Sequence, residues 1–63
     1  METTYTIEYR FSGGAWTHPE LTEEDATYDT LRDAVIAIDE LKRGGLRDVE
    51  WSLRWSDGRR TPV

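Results

Sequence analysis

The sequence holds a single histidine, His18, the residue type most often used as a general base. A general base needs a second group to orient it and a pocket to work in. The neighbours of His18 are Trp16, Thr17, Pro19 and Glu20, in a chain of 63 residues that is too short for a deep cleft. Ser12, Ser52 and Ser56 stand in no spacing with His18 that suggests an activated nucleophile. Catalysis therefore finds no support, and the chain reads as a non-enzymatic protein without catalytic residues. Glu23-Glu24-Asp25 offers oxygen ligands, but the run lacks the alternating acids and central glycine of an EF-hand loop. A single histidine and no cysteine argue against structural zinc. No metal and no cofactor are expected.

Two groups of side chains remain. Trp51 and Trp55 stand among Arg54, Arg59 and Arg60, the aromatic and cationic mixture of a single-strand stacking platform. Both tryptophans share a face with Val49 and Leu53, however, and that face should be the buried one. The second group is acidic. Between Pro19 and Glu40 eight acids meet Arg32 alone, a local charge of −7, and the remaining residues carry +2, which together give the formal net charge of −5. Phosphate binding rests on basic charge and counterion release, so a domain with this total is a poor non-specific binder of nucleic acid. It is better suited to a basic surface on another protein. The candidate contact residues are Glu20, Glu23, Glu24, Asp25, Asp29, Asp33, Asp39 and Glu40, with Ile36 as an apolar anchor.

These residues need elements to hold them. Asp29 to Arg43 carries the one clear helical pattern, with Leu31, Ala34, Val35, Ile38 and Leu41 forming an apolar stripe. Asp29 or Thr30 can cap its start, and Gly44 or Gly45 can end it in a left-handed conformation. Ile36 falls on the opposite face, among charged residues. Thr4 to Ser12 alternates, with Tyr5, Ile7, Tyr9 and Phe11 on one side. Ser12-Gly13-Gly14 should turn this strand into a short second one, Ala15 to His18, that ends at Pro19. Tyr28 should pack just ahead of the helix as a hydrophobic staple. Val49 to Ser56 alternates again, and Asp57-Gly58 suggests a type I′ hairpin turn into a last strand limited by Pro62. Glu8, Arg10, Glu50 and Arg54 should form charge pairs on an exposed sheet face. The expected fold is α+β in two layers, one domain over residues 1–63: an antiparallel sheet of three or four strands in the order β-β-α-β-β, covered by a single helix.

The aromatic first strand, the Gly-Gly turn, Trp16, and then Tyr28-Asp29-Thr30-Leu31 opening a helix with Ala34 resemble short acidic αβ proteins of bacteriophages and mobile elements. The resemblance implies a setting in which such proteins bind host or defence machinery, the anti-CRISPR proteins among them. The expected function is thus a binding module that blocks a basic, nucleic-acid-binding surface of a larger partner. The alternatives are a nucleic-acid accessory protein acting through Arg54, Arg59 and Arg60, and a self-associating module, for which a homodimer is the simplest form. No apolar run is long enough for a signal peptide or a membrane span, so a cytoplasmic setting is expected, the host cytoplasm if the protein is phage-encoded.

Overall fold

In a computed structural model that describes residues 2–63, one helix packs on a four-stranded antiparallel sheet. The elements are β1 (Tyr5–Arg10), β2 (Thr27–Tyr28), α1 (Leu31–Arg43), β3 (Glu50–Trp55) and β4 (Arg60–Pro62), with a 3-10 turn at Glu24–Ala26. The sheet order is β2-β1-β3-β4. Strands β1 and β3 form its centre, pairing from Tyr5↔Trp55 to Arg10↔Glu50. This register puts Tyr5, Ile7, Tyr9, Trp51, Leu53 and Trp55 on one face, as their alternation requires.

That face holds the core. Ile7, Leu53, Trp51, Ala34, Ile38 and Ala26 are buried together, with Tyr5, Tyr9, Tyr28, Leu41 and Leu46 packed against them. Tyr5 meets Trp55 edge-on with ring centres 4.9 Å apart, and Tyr9 lies 5.5 Å from Trp51. The Trp51 indole N–H donates to the Leu46 carbonyl at 3.0 Å, so its burial leaves no donor unpaired.

The helix begins two residues later than Asp29. Thr30 is the cap, its hydroxyl accepting from the Asp33 N–H at 3.2 Å. At the other end Gly45 takes φ +119, while the Leu46 N–H donates to the Leu41 carbonyl and the Gly45 N–H to that of Lys42. These two bonds make a Schellman motif.

Four expectations need correction. Ala15 to His18 is not a strand: Thr17 makes one bridge to Tyr9, and the chain then leaves the sheet. Pro19 has no N–H to continue the ladder, and residues 18–26 bulge outward before Thr27–Tyr28 rejoin the same edge of β1. Tyr28 is accordingly a strand residue opposite Tyr5. The hairpin loop at Asp57-Gly58 is not type I′, which requires positive φ at both central residues. Only Gly58 is positive, at φ +96, and the Gly58 N–H donates to the Trp55 carbonyl in a turn followed by one left-handed residue. The helix is also rolled from its expected orientation. It packs over β1 and β2, burying Ala34 and Ile38 and half-burying Ala37, while Leu31 and Val35 stay 43% and 42% exposed.

The fourth correction concerns the other sheet face, which is covered rather than open. Thr6, Glu8 and Ser52 are buried there. Trp16 lies across it, its ring centre 4.4 Å from the Arg10 guanidinium and 4.6 Å from that of Arg60. Glu8 accepts from Arg60 and lies 3.8 Å from Arg54. Arg60 also donates to the Ser52 hydroxyl at 3.0 Å, and Arg10 pairs with Glu50 at 2.8 Å. The cross-strand charge pairs exist: Arg10–Glu50 is exposed as expected, whereas Glu8 is buried beneath its arginines.

Candidate functional site: an acidic edge around Tyr28

The acidic residues come from three places: the bulge after His18, the 3-10 turn, and the helix. The fold divides them into two groups. Glu23 reaches back over the polar face and pairs with Arg54. Its carbonyl also accepts from the Thr27 hydroxyl at 2.8 Å, which holds the bulge against β2. Asp39 pairs with Arg43 one turn along the helix at 2.9 Å. Unlike the remaining acids of these three places, Glu23 and Asp39 are therefore paired within the domain, Asp39 at a solvent-exposed site.

Glu20, Glu24, Asp25, Asp29, Asp33 and Glu40 are exposed and make no ion pair among the described residues. Three of them converge. Tyr28 is half-buried at the sheet edge, and its hydroxyl is pushed above the ordinary tyrosine value, first by burial and then by the charges of Glu20, Glu40 and Asp33. Glu20 comes from the bulge, whereas Asp33 and Glu40 stand seven residues apart on one helix flank. Carboxylates of two separate elements thus contribute to the electrostatics of Tyr28 at the β2 edge.

Ile36 is 45% exposed. It projects from the outer side of the helix, with Arg32 and Asp33 one turn before it and Glu40 one turn after. The proposed anchor therefore borders the helical part of the acidic edge. The i, i+4 spacing of Asp39 and Arg43 was the signal for their pairing, while nothing local in the sequence links Glu23 with Arg54.

The basic residues of the C-terminal hairpin are engaged. Arg54 and Arg60 serve Glu8, and Arg59 lies 4.2 Å above the Trp55 ring while its Nε donates to Asp57 at 2.7 Å. The Arg59 backbone N–H donates to the same carboxylate at 3.0 Å, and these bonds hold Asp57 below the usual carboxylate range. Trp51 is buried, and the Trp55 N–H donates to Thr61 at 3.0 Å.

Two of the three serines have structural partners. Ser52 accepts from Arg60, and Ser56 accepts from the Thr4 N–H at 3.3 Å. His18 donates from Nδ1 to the Glu20 carbonyl at 2.6 Å, a contact that fixes its tautomer and the start of the bulge. A depression of about 590 Å³ opens on the polar face beside Thr4, Thr6, Glu23, Arg54 and Ser56. Its one guanidinium already holds Glu8 and Glu23. Among the described residues no group of three or more His, Asp or Glu side chains is arranged to hold a metal ion, and no helix is long and apolar enough to cross a membrane. Comparison of the chain with protein-family models, curated proteins and solved structures returns no match.

Proposed function

We propose that the protein is a non-enzymatic binding module whose β2 edge docks on a basic surface of a larger protein. The observation that carries this reading is the set of exposed carboxylates that includes Glu20, Asp33 and Glu40 and makes no ion pair among the described residues. A lysine or arginine of the partner would meet carboxylates on two sides and the face of an aromatic ring, a favourable setting for a desolvated cation. Complementary charge of this kind mainly speeds encounter and selects the partner. Where the basic surface is one that holds nucleic acid, occupancy by this acidic edge excludes the phosphates, which is the action of an inhibitor of the phage anti-CRISPR type.

The engagement of Arg54, Arg59 and Arg60 within the domain favours this reading over direct nucleic-acid binding. The test is an NMR titration with an oligo-lysine peptide, run beside one with single-stranded DNA. The peptide should shift the amides around Tyr28, Asp33 and Glu40, and the effect should fade as salt rises above about 0.1 M, where the screening length is about 10 Å. Changing Glu20, Asp33 and Glu40 together to lysine should abolish it. Shifts centred on Trp55 and Arg59 with the DNA, and none with the peptide, would establish the alternative instead.

A further inference from the structure

The outer side of α1 carries a second surface with different chemistry. Val35 and Ile36 are 42% and 45% exposed, adjacent in sequence, and about 100° apart around the helix. Between their directions lie Arg32 and Asp39, seven residues apart and so nearly aligned two turns along the axis. Arg32 stands three residues before Val35, and Asp39 stands three residues after Ile36. The surface therefore reads the same from either end except that positive is exchanged for negative. That is the property an isologous two-fold contact demands, because each residue i must fit j while j fits i.

We infer that this helix face binds a second copy of the same chain, with the two α1 helices antiparallel and the two-fold axis passing between Val35 and Ile36. Val35 then faces Val35 of the second copy, and Ile36 faces Ile36. Arg32 of each copy comes level with Asp39 of the other, giving two ion pairs that flank the apolar centre. Asp39 already holds Arg43 of its own chain at 2.9 Å, so each carboxylate joins two guanidinium groups. Asp33 and Glu40, one turn before and one turn after Ile36, border this face on the side of the β2 edge. The inference is independent of the proposed basic partner.

Sedimentation equilibrium across micromolar to millimolar protein, at low salt, should show a species of twice the 7.3 kDa chain mass. Arg32→Asp and Asp39→Arg should each weaken dimerisation about tenfold or more, since like charges then meet twice. The double exchange, Arg32→Asp with Asp39→Arg, should restore it. An equimolar mixture of the two single variants should form heterodimers, because every contact is again of opposite sign. Circular dichroism of the variants should match the parent, as both positions are exposed. A monomer at every concentration would overturn the inference. So would a dimer that ignores these exchanges, or one that dissociates on changing Glu20, Asp33 and Glu40 rather than the helix face.

Discussion

The two faces of the sheet are built from alternate residues of the same strands and are closed by opposite means. On one, Ile7 and Leu53 pack under Ala34 and Ile38, and the cover is apolar surface removed from water. On the other, Glu8 is 7% and Ser52 1% exposed beneath guanidinium groups, Trp16 and the bulge at Glu23. The first face tolerates no polar intrusion but asks little of geometry. The second satisfies every buried side-chain donor and acceptor among the described residues through named partners. A short chain without disulfides thus covers both faces with a single helix, by using a tryptophan and three arginines as its second layer.

The sharpest way to test the contrast is to damage each face in turn. Leu53→Ala or Ile38→Ala should cost about 2–5 kcal/mol, enough to unfold much of a domain this size at room temperature. Urea melts should show the loss unchanged by salt. Glu8→Ala should cost less, about 2–3 kcal/mol. It leaves Arg54 and Arg60 without their shared carboxylate, but those side chains are 34% and 32% exposed, and water compensates in part. Salt should narrow this second gap. Equal losses with equal salt response would erase the distinction between the faces.

The smallest expected effect is at the β2 edge. The pKa of Tyr28 is raised in the folded state, so folding favours the protonated hydroxyl. Its contribution is whole below the unfolded value of 10.0 and is lost as pH rises past the higher folded value. Wild type and Tyr28→Phe should melt alike from pH 7 to 9, and the wild type should fall below the variant in more alkaline solution. Coincident melts at every pH would remove Tyr28 from the field of the three carboxylates.

Much of the fold was legible in the residue pattern because β1, β3 and α1 are long enough to show a period. Strand β2 was not, since two residues carry no alternation. The alternation of β1 made Glu8 look solvent-facing, and only the return of the chain after Gly14 brings Trp16 over it. The azimuth of α1 was likewise hidden. Spacing defines a stripe, but the position of the helix over β1 and β2 decides that Ala37 turns inward and Leu31 and Val35 outward. For the candidate site, composition marked an acidic segment but could not separate Glu23 and Asp39, which are paired, from Glu20, Asp33 and Glu40, which are not.

Strand β4 bears on the behaviour of the protein in concentrated solution. Arg59 and Val63 bond toward β3, and Thr61 lies opposite Leu53, so the backbone of Arg60 and Pro62 points outward. Pro62 has no N–H, and an incoming strand finds a single donor there, beside a charged side chain. At the far edge β2 offers two residues before the helix cap. Neither border can template a long ladder with a neighbouring molecule, which protects this sheet from growing into fibrils. Association, where it occurs, is left to side chains rather than to the peptide backbone.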